Sequence, residues 1–157
     1  MPKRSRAVGK ISPGLAGTAG EYLVAGELSR RGYIASITIR NARGIDILVS
    51  DEDARRSVGI QVKTSQGSKP IWVLSQKIET MDTAANLFFV LVVLNGLAEP
   101  AYHIVPRKVL VREVTTRHRK WLAAPGIKGQ QRNDSSMRKF DDVEGRFRDR
   151  WDLLGLD

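Results

Sequence analysis

The chain has 157 residues, enough for one domain with a hydrophobic core, and its 41% apolar and 27% charged residues exclude collagen-like and wholly disordered classes. It has no cysteine and two histidines, which excludes disulfides, thiolate zinc sites and histidine-rich metal clusters, so any metal would have mainly oxygen ligands. The net charge of +9 favours a polyanionic partner such as nucleic acid over an acidic membrane, since no strongly amphipathic basic helix stands out.

The first segment, residues 1–17, combines glycine and proline with scattered cations and predicts a flexible basic arm. The excess of positive charge lies in this arm and in residues 106–150. Thr18-Ala19-Gly20-Glu21 is typical of a capping box, in which the Thr18 and Glu21 side chains satisfy the free amides at the start of a helix. We therefore expect a first helix over residues 18–31.

The middle of the chain predicts mainly strands. Three segments rich in Ile and Val predict an antiparallel meander: Tyr33–Arg40, Ile45–Ser50 and Val58–Thr64. A shorter strand, Ile71–Leu74, precedes a helix that starts near Ser75. Leu87–Leu94 is apolar on both faces, which is typical of a central strand covered by helices. This run is too short to cross a bilayer and no signal-like segment is seen, so we expect a cytoplasmic protein without membrane contact.

The C-terminal third is the most basic part. Ala101–Val105 is expected to pair with the preceding strand, residues 106–120 predict a basic helix, and Asp141–Leu154 predicts a last amphipathic helix. The order of elements predicts an α/β sandwich around a mixed central sheet. We divide the chain into a basic arm (1–17), an α/β core (18–123), and a basic loop with a C-terminal helix that docks on the core (124–157).

Four polar side chains interrupt the predicted core. Asp46 lies among apolar strand residues, where an uncompensated buried carboxylate costs several kcal/mol. Gln61 and Lys63 share one face of the next strand. If the hairpin turn is centred near Ala54, Asp46 lies opposite Val62, between Gln61 and Lys63. Glu21 lies on the packing stripe of the first helix, so we expect all four side chains to converge.

These residues carry a resemblance to a known family. Glu21, Asp46 within Gly44-Ile45-Asp46-Ile47-Leu48-Val49, and Gln61-Val62-Lys63 resemble the PD-(D/E)xK nuclease superfamily, nearest to its Holliday junction resolvase-like and Mrr-type restriction members. Ile45 stands in place of the proline of the motif, and Gln61 in place of its second acidic residue, as in a Gln-x-Lys variant. The resemblance covers residues 17–105 and implies a three-layer, restriction-endonuclease-like αβββαβ core.

The resemblance implies a Mg²⁺- or Mn²⁺-dependent endonuclease that hydrolyses DNA phosphodiester bonds. Its metal ligands would be Asp46, Gln61, Glu21 and the Val62 carbonyl, and Lys63 would orient the attacking water or stabilise the phosphorus centre. Relatives that cut both strands commonly pair, so a homodimer fits the same resemblance. Phosphate contacts are expected from basic and polar residues outside this group: Lys3, Arg4, Arg6, Thr64, Ser65, Arg117, Arg119 and Lys120.

Each site residue also has a structural interpretation. Glu21 would only complete its capping box, Asp46 and Lys63 would form an ion pair across two strands, and Gln61 would hydrogen-bond the backbone.

Two other functions stay open. One is a nucleic-acid-binding module on the same fold without catalysis, for which Gln61 is the best argument, and the other is a protein whose positive surface binds an acidic protein.

Overall fold

A computed structural model describes residues 9–39 and 43–157. Its α-helices are α1 (Pro13–Arg30) and α2 (Arg107–Ala123), and it has two short 3-10 helices, Gln76–Thr80 and Trp151–Leu154. The strands are, in chain order, β1 (Ile34–Ile37), β2 (Ile47–Ser50), β3 (Ser57–Ser65), β4 (Ile71–Ser75), β5 (Leu87–Val93), β6 (Ala101–Pro106) and β7 (Met137–Asp141). No described helix is both long enough and apolar enough to cross a membrane.

A five-stranded mixed sheet in the order β1-β2-β3-β5-β6 forms the centre, and β4 pairs with β7 in a separate small sheet. The first three strands are an antiparallel meander, β5 runs parallel to β3, and β6 returns antiparallel to β5. All seven residues of β5 are buried. The predicted meander, the interior strand and its antiparallel neighbour are therefore confirmed.

Two hydrophobic layers cover the central sheet. On one face, Val24 and Leu28 of α1 pack with residues of β2, β3 and β5: Ile47, Val49, Ile60, Val62, Val90 and Val92. On the other face, Leu110 and Val114 of α2 pack with Phe89 and Leu91 of β5 and with Trp72 and Phe140 of the small sheet. The predicted α/β sandwich around a mixed sheet is confirmed, with the small sheet contributing to the second layer.

The start of α1 differs from the prediction. The helix begins at Pro13, with Ser12 as its N-cap, whose hydroxyl oxygen accepts a hydrogen bond from the Leu15 amide at 3.3 Å. Thr18 lies inside the helix and donates its hydroxyl to the Gly14 carbonyl at 3.0 Å. The predicted capping box is therefore wrong, because the amides near Thr18 are already bonded within the helix.

Residues just before α1 also contact the core. The Gln66 side chain accepts from the Ile11 amide and donates to the Ile11 carbonyl, both at 2.9 Å. The helix thus begins inside the segment predicted as a flexible arm. The predicted contacts of Lys3, Arg4 and Arg6 lie outside the described residues, and the three-part division of the chain stays a prediction.

Two predicted helices are wrong. The segment after β4 is one 3-10 helix in which only Ile78 is buried, so it lacks the apolar stripe of a longer helix. The C-terminal segment begins as strand β7, continues as turns, and ends in the 3-10 helix Trp151–Leu154. The turn after β7 is not helical: Gly145 has a φ of 68°, in the left-handed region, and the Asp142 carboxylate accepts hydrogen bonds from the Arg146 and Phe147 amides.

Candidate active site

Backbone contacts to two strands hold Asp46 immediately before β2. Its carbonyl accepts from the Thr38 amide at 2.9 Å, and its amide donates to the Ile60 carbonyl at 2.8 Å. Ile60 is also the register partner of Ile47, so two successive residues contact one residue of β3, as in a β-bulge. The Asp46 side chain also accepts a hydrogen bond through Oδ2, at 2.7 Å, from the Val62 amide.

The hairpin register differs by one residue from the prediction. The predicted pairing placed Asp46 opposite Val62, whereas the observed pairs run from Ile47 with Ile60 to Ser50 with Ser57. The Asp51 carboxylate causes this difference, because it accepts from the Arg55 and Arg56 amides and fixes a six-residue turn. Asp46 still reaches Val62, through its side chain.

Glu21 and Asp46 line the same pocket, which has a volume of about 210 Å³. It lies between the first half of α1 and the start of β2. Glu21 is in the third turn of the helix, so it does not cap the N-terminus. The remaining lining residues are small or polar for the most part: Pro13, Gly14, Gly17, Thr18, Thr38 and Ile45. The structure therefore brings together two of the predicted site residues, from a helix and a strand.

Gln61 lies on β3, beside Phe89 of β5. Its Oε1 atom is buried and has no hydrogen-bond partner among the described residues. A Cβ built on Gly44 would lie 3.6 Å from this atom, 3.8 Å from Nη2 of Arg107 and 3.1 Å from the Met81 methyl group. Gly44 also has a φ of 64°, so this crowded turn requires glycine.

Arg107, the first residue of α2, is a site residue that was not predicted. Its side chain is buried, with the residue 3% exposed. Nη2 donates to the Gly44 carbonyl, Nη1 donates to the Asp82 carbonyl at 3.4 Å, and the guanidinium lies 5.5 Å from the centre of the Phe89 ring. Burial lowers the pKa of Arg107, and the Asp82 and Asp46 carboxylates partly oppose that effect.

Lys63 is half-buried and lies two residues after Gln61 on β3, so strand alternation places both on the face away from α1. Val62, between them, belongs to the core under α1. Lys63 and Asp46 form no ion pair within residues 9–39 and 43–157. The site thus has Glu21 and Asp46 at one pocket, Gln61 near Arg107, and Lys63 on the same face of β3 as Gln61.

The predicted phosphate-binding residues have different environments. The Thr64 hydroxyl is buried against Gly20 of α1, which does not fit the predicted phosphate contact. The Ser65 hydroxyl oxygen accepts from the Gly67 amide at 3.2 Å. Arg117 binds the Asp141 carboxylate, whereas Arg119 and Lys120 are exposed on α2. Arg119 and Lys120 are therefore the best placed of these residues to meet a ligand.

The exposed face of α2 carries two further cations, Lys108 and Arg112. Within the part of the chain that the structure describes, the side chains of Lys108, Arg112, Arg119 and Lys120 form no ion pair or hydrogen bond. The sole acidic residue of the helix, Glu113, binds Arg146 through both carboxylate oxygens at 3.1 and 2.9 Å. This face therefore carries four positive charges without a carboxylate partner.

A solved structure similar to this chain is that of Hjc, a Holliday junction resolvase from the archaeal hyperthermophile Archaeoglobus fulgidus. The identity is 18%, the similarity covers 80% of this chain and 84% of that chain, and the TM-score is 0.48. No protein-family model and no curated protein matches the sequence.

Proposed function

We propose that this chain is a nuclease that hydrolyses DNA phosphodiester bonds with the help of a divalent metal ion. The observation that carries the proposal is that Glu21 and Asp46, from a helix and a strand, line one small pocket. Two carboxylate residues at one pocket supply the oxygen ligands that a divalent metal ion prefers. A metal ion held there could also bind a phosphate group.

The donor atoms at the pocket fit a hard cation. Glu21 and Asp46 offer carboxylate oxygens, and Thr38 offers a hydroxyl oxygen. The described residues contain no group of three or more His, Asp or Glu side chains that could hold a metal. Mg²⁺ typically keeps several waters and binds through one or two carboxylates, so Asp46 and Glu21 would hold it. The ion would supply Lewis-acid stabilisation of charge on the phosphate.

The residues around the pocket have distinct tasks in this proposal. The Val62 amide fixes Oδ2 of Asp46, and Oδ1 accepts no hydrogen bond from the described residues. Asp46 therefore keeps one oxygen for a ligand. Lys63 is not among the residues that line the pocket and lies on the face of β3 away from α1, so its catalytic role stays a prediction.

The basic face of α2 supports a nucleic acid as the partner. Lys108, Arg112 and Arg119 lie opposite the buried residues Leu110 and Val114, and the exposed Lys120 lies at the edge of the same face. Lys108 and Lys120 are separated by about 18 Å of helix, and over that length a DNA duplex carries about ten negative charges. The helix begins at Arg107, so this face leads away from the candidate site.

The proposal is tested by the cleavage of supercoiled plasmid and branched DNA in Mg²⁺ or Mn²⁺. We expect Asp46→Asn and Glu21→Gln to lower the cleavage rate at least about 100-fold, since each removes a carboxylate from the ion site. Both variants should still bind DNA in EDTA. Asp53→Asn, an exposed change in the β2–β3 turn, is the matched control and should cut at the wild-type rate. If the Asp46→Asn variant cuts DNA at the wild-type rate, the proposal is wrong.

A second candidate function is a binding module on the same fold without catalysis. The uncharged Gln61 and the buried cation of Arg107 favour it, because together they reduce the negative charge available to a metal. This alternative predicts DNA binding with a steep salt dependence and no cleavage of any DNA substrate. Pairing of two copies also stays a proposal, and sedimentation of the free protein tests it.

A further inference from the structure

Two buried polar atoms without partners lie beside the same turn. Oε1 of Gln61 and Nε of Arg107 are both buried, and neither has a hydrogen-bond partner among the described residues. Both side chains come within 4 Å of the Cβ position of Gly44. Both also flank Phe89, since Gln61 is its register partner and the Arg107 guanidinium lies over its ring. An unpaired acceptor and an unpaired donor thus share one corner of the fold.

The charge of Arg107 is only partly compensated. Its hydrogen bonds go to the Gly44 and Asp82 carbonyl oxygens, and no described carboxylate forms an ion pair with it. A carbonyl dipole stabilises a guanidinium but does not neutralise it. The buried cation therefore attracts an acceptor such as Oε1 and repels a second cation, because electrostatic interactions are strong in a poorly solvated interior.

We propose that Gln61 is the electrostatic neighbour of the buried Arg107 guanidinium, without a direct hydrogen bond through Oε1, and is not a metal ligand. The divalent ion is then confined to the Asp46 and Glu21 carboxylates, and this placement of the ion rests on the proposed function. The inference also explains the uncharged side chain at position 61. A carboxylate there would form an ion pair with Arg107 and would not become available to the metal.

A double-mutant cycle between Gln61→Glu and Arg107→Met tests the inference, with Mn²⁺ affinity measured by calorimetry on the full chain without DNA. We expect Gln61→Glu alone to leave Mn²⁺ affinity within about twofold of wild type, because Arg107 neutralises the new carboxylate. Adding Arg107→Met should then tighten Mn²⁺ binding about tenfold or more, since the carboxylate loses its cation. Gln76→Glu, an exposed change with the same charge, is the control and should have no effect.

The Arg107→Lys variant keeps a positive charge at this position. It therefore distinguishes an effect of the lost charge on Mn²⁺ binding from an effect of disturbed folding. Gln61→Glu combined with Arg107→Lys should bind Mn²⁺ like Gln61→Glu alone. If the Met variants do not fold, Gln61→Glu by itself still decides, because a tightening of about tenfold in that single variant overturns the proposal. Thermal unfolding provides a second readout, and additive effects of the two substitutions on Tm would also overturn it.

The proposed metal site and the proposed interaction of Gln61 with Arg107 are tested by separate measurements, so one can be wrong while the other holds. If Asp46→Asn leaves Mn²⁺ binding unchanged, the proposed ion site is wrong. Coupling between positions 61 and 107 in the thermal unfolding measurements would still show that the two side chains are partners.

Discussion

A methyl group added to Gly20 of α1 would lie 2.0 Å from the Thr64 hydroxyl oxygen on β3. We expect Gly20→Ala to lower the free energy of unfolding by about 2 kcal/mol, because α1 would have to move away from the strand. Gly26→Ala in the same helix has open space and should raise stability by up to about 1 kcal/mol. Urea unfolding of the two variants measures both effects, and equal stability of the pair would refute the close packing.

Asp142 organises the turn that follows β7. The residue is 2% exposed, its Oδ2 lies 2.7 Å from Nδ1 of His103, and its carboxylate accepts from the Arg146 and Phe147 amides, both at 2.9 Å. Asp142→Ala should cost about 3 kcal/mol of stability, since it leaves buried donors unpaired. Asp53→Ala, in an exposed turn, should change stability by less than about 0.5 kcal/mol. Similar costs for the two variants would contradict this role of Asp142.

Acid should weaken the contact between the 3-10 helix after β4 and strand β7. The hydrogen bond from Arg138, at 2.7 Å, holds the pKa of Glu79 below its ordinary value of 4.5. The folded-state pKa is the lower one, so this contribution to stability is present above pH 4.5 and is lost as the pH falls through the folded-state value.

The measurement is the unfolding free energy of wild type and Glu79→Gln between about pH 6 and about pH 3. The difference in stability between the two proteins should shrink towards acid pH. Glu52→Gln, in the exposed β2–β3 turn, should follow the wild-type curve. A difference between wild type and Glu79→Gln that stays constant over this range would argue against the ion pair.

The basic face of α2 is tested by the salt dependence of DNA binding in EDTA. Arg112→Gln with Lys120→Gln should reduce the slope of log affinity against log salt by about 2, because two phosphate contacts are lost. Arg30→Gln with Arg55→Gln removes the same charge at the end of α1 and in the β2–β3 turn, and should leave the slope nearly unchanged. Equal slopes for the two double variants would show that α2 does not contact DNA.

Strand patterns predicted most of the fold. The apolar run of β5 and the Ile- and Val-rich segments of β1 to β3 predicted the sheet, because burial on one or both faces leaves a direct pattern in the sequence. Strand β7 was missed, since its buried residues are Phe140 and an arginine, Arg138. The start of α1 was missed because Thr18 and Glu21 imitate a capping box, whereas Ser12 and Pro13 are the actual start.

The site was predicted in part for the same physical reasons. A carboxylate within an apolar strand and a carboxylate on a packing stripe both signal a compensating partner, and Asp46 and Glu21 do line one pocket. Arg107 gave little local signal beyond its position directly after an apolar strand. Its burial results from tertiary contacts with Gly44 and Phe89, which no spacing along the chain indicates.

The most direct test of the account is a crystal of the protein soaked in Mn²⁺ and measured at the manganese absorption edge. We predict an anomalous peak within coordination distance of the Asp46 carboxylate, on the side of Glu21, and no peak at Oε1 of Gln61. Soaked crystals of Asp46→Asn should lack the peak. An empty pocket in the wild-type crystal, or a metal ion bound only elsewhere, would contradict the proposal that this pocket is the centre of a metal-dependent nuclease.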